Sequence, residues 1–223
     1  MRHNEMTGNL ISRRRMTKTI YTVGHSTHTI DAFVEMLNAH GIEQIADVRT
    51  VPRSRHNPQY NKETLPKTLR TRRIRYIHMP GLGGLRKPKR DSINTAWENA
   101  SFRGFADYMQ TRDFASALMQ LTDRAREKAT AIMCAEAVPW RCHRSLIAYA
   151  LTLRKFKVVH IMSATNSREH TITPFAHVEG RKITYPIFSP RTSPSRPRKA
   201  RIKRKPLAAA ARRPRGKPSP ISR

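Results

Sequence analysis

The chain has 223 residues, with 44 Lys and Arg against 15 Asp and Glu, giving a formal net charge of +29. That length suits one domain with extra material at its ends, and that charge points to an anionic partner such as phosphate or nucleic acid. Two cysteines make no disulfide framework, and no apolar run is long enough to span a bilayer, so a secreted disulfide scaffold and a transmembrane helix are both excluded.

The charge is unevenly spread. Residues 1–18 carry five basic residues and one acid, while residues 186–223 carry thirteen basic residues, eight prolines and no acid. Such a tail cannot bury a core; it is expected to be disordered and to bind polyanions without sequence specificity. The remaining residues, 19–185, still carry a net +12. The triplet Arg13 to Arg15 is not followed by an apolar signal core, because Thr17, Lys18 and Thr19 interrupt it. With no membrane segment, the expected location is a reducing cytoplasm. Met1, Met6 and Met16 compete as the start, and a start at Met16 would leave residues 1–15 outside the protein.

In chain order, residues 19–23 (TIYTV) read as a strand and Gly24 to Thr27 as a turn. Thr29 caps a helix whose apolar face is Ile30, Phe33, Val34 and Leu37, and Gly41 ends it. A second strand follows at 44–48. This β-α-β unit favours a right-handed crossover and a parallel sheet. Residues 49–62 are loop; a short helix starts near Thr64, with Pro66 tolerated in its first turn. A third strand covers 74–79. Residues 80–100 read as a Gly- and Lys-rich loop with a helical turn around Trp97. Thr111 caps a helix showing Phe114, Leu118, Leu121 and Ala125. A fourth strand at 130–134, a helix at about 143–155 and a fifth strand at 157–161 complete the alternation, and 162–185 is left without assignment. The pattern predicts an α/β fold: a Rossmann-like, three-layer domain on a mainly parallel sheet spanning 19–185, between a flexible basic extension (1–18) and the basic tail (186–223).

In such a sheet, ligands bind beyond the carboxyl ends of the strands. His25 and Ser26 follow the first strand, Asp47 and Arg49 end the second, His78 ends the third, and Cys134 and Glu136 end the fourth. Arg141, Cys142, His143, Arg144 and Ser145 lead into the last helix. Polar and reactive side chains at every strand end predict one rim site.

Several of these segments also carry a resemblance. VGHS (23–26), DVR-x-x-P-x-S (47–54), NPQYN (57–61), GLGG (81–84) and CAEAVPWRCHR (134–144) resemble the hallmark segments of the domain of unknown function 488 family over residues 19 to 180, and His170 fits as well. The resemblance implies a Rossmann-like domain and supports the rim as a site. It implies no reaction.

Cys142, just before a helix and among Arg141, His143 and Arg144, is placed for a lowered pKa and a nucleophilic thiolate; the alternative is a small buried residue. Glu136 reads as general acid or base, or as the salt-bridge partner of Arg144 or Arg49. His143 completes the candidate catalytic set. His25, Ser26, Asp47, Arg49, Arg53, Ser54, His78, Arg141 and Arg144 form the candidate substrate- and phosphate-binding set. Asp47 and Arg49 share one side of a strand and could pair with each other. His78 reads as a base or a structural histidine. Cys134, Cys142, His143 and His78 could ligate zinc on paper, but C-x7-C is no standard zinc spacing, so no metal is assigned. The segment from Arg53 to Arg90 holds twelve Lys and Arg and one acid, with Tyr60 and Tyr76 available for stacking on a nucleic acid.

The expectation is an enzyme acting on a nucleotide or nucleic acid. The alternatives are a non-catalytic binding module built on the same rim, or a metal-dependent enzyme. Cofactor, oligomeric state and the choice between DNA and RNA do not follow from the residues.

Overall fold

The computed structural model describes residues 18–187. The basic extension and the basic tail therefore lie outside the described residues, except for Lys18, Pro186 and Ile187. Among the described residues, no helix is long and apolar enough to cross a membrane.

Strand β1 (Thr19–Gly24) leads to helix α1 (Ile30–Ala39), whose first turn is capped as expected: the Thr29 side chain accepts from the Ala32 N–H. Strand β2 (Gln44–Asp47), helix α2 (Leu65–Thr71, with Pro66 in its first turn) and strand β3 (Arg75–His78) follow. Helix α3 (Ala100–Tyr108) is an addition to the sequence reading, capped by the Asn99 carboxamide on the Ser101 and Phe102 N–H groups. Helix α4 (Arg112–Glu127) is capped by Thr111. Strand β4 (Thr130–Cys134), helix α5 (Arg144–Thr152) and strand β5 (Lys157–Ile161) complete the alternation. The segment left unassigned holds β6 (Ser167–Glu169) and a small hairpin of β7 (His177–Glu179) and β8 (Lys182–Thr184).

The main sheet has the order β3-β2-β4-β1-β5-β6. Its first five strands are parallel and β6 is antiparallel to β5. Side chains alternate between two apolar layers, as the strand repeat of two residues demands. Val23, Ile45, Ala131, Met133 and Ile161 pack with Phe33, Leu37, Leu65 and Leu69 of α1 and α2. Ile20, Ala46, Ile132, Cys134 and Val158 face the other way, onto Phe105, Phe114, Leu118, Leu121, Leu146 and Ile147 of α3, α4 and α5. This is the expected three-layer α/β architecture. Two strands form the edges: β3, where Arg75 is exposed, and β6, exposed along its whole length.

The layering also explains why chemistry gathers where it does. The central strands β2, β4 and β1 run parallel and in register, pairing Asp47 with Met133 and Gly24 with Cys134. Their carboxyl ends therefore finish side by side, and the loops that follow must share one rim.

Candidate functional site

The β4 loop lies directly on β1. The His25 and Ser26 N–H groups donate to the Cys134 and Ala135 carbonyls at 3.0 and 2.9 Å. Gly24 makes this approach possible: a Cβ there would stand 1.9 Å from the Glu136 carbonyl oxygen. The loop then turns through Pro139–Arg141 and returns to the rim as Cys142, His143 and Arg144 at the start of α5. Two cysteines eight positions apart thereby meet. The Sγ atoms of Cys134 and Cys142 and a ring nitrogen of His143 all lie within 4.8 Å of one another.

Cys142 is buried, yet it lines a cleft of about 440 Å³ together with Cys134, Ala135, Glu136, Arg141 and His143. Three groups surround its sulfur. The Arg144 Nε donates to Sγ at 3.5 Å, and the Nδ1 of His143 stands 3.7 Å away. The third is the Cys134 thiol, whose Sγ lies within 4.8 Å. The Cys142 pKa is held well below the ordinary thiol value by the neighbouring Cys134 thiol, by His143 and by the Arg144 charge, which together outweigh burial. The Cys134 pKa is pushed up by its Cys142 neighbour and by burial, so the two thiols are unequal.

The imidazole of His143 has one fixed role. Its Nε2 is 3.2 Å from the Val48 carbonyl, which can only accept, so Nε2 carries a proton. Nδ1 is then the nitrogen free to take a proton from Cys142. Phe105 packs against the ring, with centroids 5.1 Å apart.

Arg144, expected on phosphate, is turned inward and is 1% exposed. It donates to the Thr22 hydroxyl at 3.4 Å, to the Glu136 carbonyl, and to the Ala137 carbonyl at 3.4 Å. No carboxylate lies within ion-pair distance of it among the described residues. Glu136 thus meets Arg144 through its backbone, and its carboxylate, exposed at the rim, has no hydrogen-bond or ion-pair partner among the described residues.

Asp47 and Arg49 do pair. Both are buried; Arg49 Nε donates to Asp47 at 2.9 Å and Nη2 at 2.6 Å, and the Arg49 N–H and the Tyr76 hydroxyl also donate to the carboxylate, at 3.0 and 2.7 Å. Arg49 further donates to the Tyr60 carbonyl at 2.7 Å and to His25 Nε2 at 3.2 Å. Of its five N–H groups only one is left, so the bidentate phosphate contact expected of Arg49 is not available.

His25 stacks on Tyr60, with centroids 4.0 Å apart, and its Nδ1 meets the Ser26 carbonyl at 2.9 Å. Burial, then the Arg49 charge, lower its pKa to about 4, so the ring is neutral with its proton on Nδ1. Tyr60 is fully buried and so is no free stacking platform, while Tyr76 is half-buried with its hydroxyl on Asp47. His78 braces the rim from behind, its Nε2 on the Arg49 carbonyl at 2.9 Å.

The exposed cations at the rim are Arg141, in the cleft beside Cys142, and Arg53. Arg53 lines an adjoining hollow of about 420 Å³ with His25, Ser26, Ser54 and Glu136. Ser54 is occupied by the loop itself: its hydroxyl accepts from the Asn57 N–H at 3.0 Å. The sequence reading missed Gly84, whose backbone backs the His143 ring, and Thr22, which lies behind Arg144. The GLGG segment was a signal for the first; nothing local marked the second. Cys134, Cys142 and His143 are also close enough together to hold one soft divalent ion, which C-x7-C spacing alone did not suggest.

A family model described as "Domain of unknown function DUF488" matches residues 29–151, a span that includes β2, β4, Glu136 and the Cys142–Arg144 turn. No curated protein and no solved structure matches the chain.

Proposed function

The chain belongs to the DUF488 family, and from that premise and the rim's geometry we propose that it is a thiolate enzyme acting on a phosphate-bearing substrate, a nucleotide or a nucleic-acid end. Cys142 is the nucleophile and His143 Nδ1 is its proton acceptor. Glu136 is the general acid or base for the leaving group, while Arg53 and Arg141 hold the substrate's anionic part.

One observation carries this reading: a buried guanidinium has a cysteine sulfur, and no carboxylate, beside it. An unpaired charge in a protein interior costs several kcal/mol. A thiolate on Cys142 compensates Arg144 where a neutral thiol would leave it uncompensated. The fold thus favours the reactive form of the cysteine even without substrate. His143 takes the displaced proton because its other nitrogen is committed to Val48. Glu136, exposed and unengaged, is free to exchange protons with whatever occupies the cleft.

The substrate class rests on charge. The rim presents Arg53 and Arg141 to solvent, within a domain whose residues 19–185 carry a net +12. Anionic substrates are drawn to such a cleft before any contact is made.

The test is the rate of Cys142 alkylation against pH, followed by mass spectrometry with Cys134 as the internal comparison. The expected result is fast labelling of Cys142 with a midpoint well below that of a free thiol, near 8.5. An ordinary or raised midpoint would remove the nucleophile and leave a binding module.

A further inference from the structure

The second sulfur of the cleft has no part in that scheme, and its placement gives it one. We propose that Cys134 and Cys142 form a redox dithiol, in which Cys134 resolves a mixed disulfide on Cys142 and closes a reversible intramolecular disulfide. The inference rests on the reading of Cys142 as the reactive thiolate and adds to the site an electron-transfer activity towards disulfides.

Three features support it. The two sulfurs are within 4.8 Å of each other, so a change of side-chain rotamer, with little backbone movement, brings them towards bonding distance. Both are free thiols lining the same cleft. Their surroundings assign the roles: the sulfur beside Arg144 and His143 is the one that attacks an incoming disulfide, and the one at the end of β4, with neither group in hydrogen-bond contact, resolves it. The cysteines also sit on different supports. Cys134 ends a central strand, while Cys142 lies on the returning loop before α5, just after the Pro139–Arg141 turn. A bond between them ties that loop to the sheet.

The chemistry balances with a disulfide as oxidant. The Cys142 thiolate attacks one sulfur of R–S–S–R; a Cys142–S–S–R bond forms, the R–S–S–R bond breaks, and one R–S⁻ leaves. Cys134 then gives its proton to the released thiolate and attacks the Cys142 sulfur. The Cys134–Cys142 bond forms and the second R–S⁻ leaves, taking a proton from solvent. Two protein thiols are oxidised and one disulfide is reduced to two thiols. Arg144 stays buried throughout; when the disulfide forms it loses its thiolate counter-charge, which keeps the disulfide easily reduced.

The experiment treats the full-length protein with glutathione disulfide, quenches with acid and alkylates, and reads intact mass and peptide maps. The wild type is expected to lose the mass of two hydrogens and both alkylation sites, with only a transient glutathione adduct. Cys134→Ser, with Cys134→Ala as the second variant, is expected to stop at a stable adduct on Cys142. A stable Cys142 adduct in the wild type, as in the variants, would overturn the dithiol while leaving the reactive thiolate standing. No adduct in any of the three proteins would overturn both. A wild-type protein that holds one equivalent of zinc, and whose thiols react only after chelation, would overturn the dithiol in favour of a metal centre. Because the first readout is on the wild type, a variant that fails to fold does not shield the proposal.

Discussion

A methyl group on Gly84 would stand 2.5 Å from Nδ1 of His143, closer than any side chain tolerates. The missing side chain of one residue therefore determines where the imidazole of another can lie. Gly84→Ala forces the ring to shift from its present place beside Cys142 and against Phe105. The expected outcome is a several-fold slower alkylation of Cys142 at neutral pH, with a melting temperature within a few degrees of the parent. Unchanged alkylation would show that the thiolate owes nothing to the imidazole.

Arg144 is the harder test. Arg144→Met keeps much of the volume but removes the charge and leaves the Glu136 and Ala137 carbonyls short of a donor. The Cys142 midpoint should rise towards that of an ordinary thiol. Stability should fall by about 2 to 4 kcal/mol, measured by urea unfolding, because those hydrogen bonds are gone. A midpoint that stays low in this variant would mean that Arg144 holds the loop and does not hold the charge.

Acid stability follows from two buried histidines. His25 is lowered to about 4, and His160, which meets the Thr22 hydroxyl at 2.7 Å and His170 at 2.9 Å, is lowered to about 3, in both cases chiefly by burial. In the unfolded chain each titrates near 6.5. Between those values the unfolded chain binds protons that the folded chain refuses. Their contribution is complete above about pH 6.5 and is lost as pH falls towards 4, with a slope on the order of 1 kcal/mol per pH unit for each histidine. Urea midpoints measured from pH 7.5 down to pH 4 should show this fall, and His25→Gln should make it shallower, leaving the share of His160 and of His170, whose pKa burial also lowers to about 4. A flat profile in the parent would contradict the burial of these rings.

The exposed cations predict a separable effect. Replacing Arg53 and Arg141 with Ala should weaken nucleotide or oligonucleotide binding. It should also reduce the salt dependence of binding, by about one unit of slope for each phosphate that is no longer neutralised. The pH midpoint of Cys142 should stay where it was. Binding unaffected by both substitutions would put the anionic ligand elsewhere, with the basic tail as the next place to look.

Much of the fold was legible because the signals were local. Thr29 and Thr111 cap the helices they appeared to cap, and the five parallel strands lie where β-branched runs placed them. Helix α3 escaped because it is short and carries Gly104 in its middle, a residue that argues against a helix, in a stretch that follows a glycine- and lysine-rich loop. The rim was legible as a list of strand ends. Its directions were not, because the side on which a long cation lies is decided by packing. Arg144 and Arg49 read from sequence as phosphate ligands, yet both turn inward. Nor could spacing show that the loop after β4 doubles back, which is what puts Cys142 beside Cys134.

The outer strands of the sheet have a consequence of their own. Strand β3 has four residues and β6 three, and Arg75, Arg168 and Glu169 stand in solvent along them. A strand arriving from another molecule would have to press its backbone against charges that gain no partner there. Growth of the sheet from one molecule into the next is thereby discouraged on both flanks. At high concentration the domain is guarded against the edge-to-edge stacking that leads parallel-sheet proteins into fibrils, even though its central strands are apolar enough to take part.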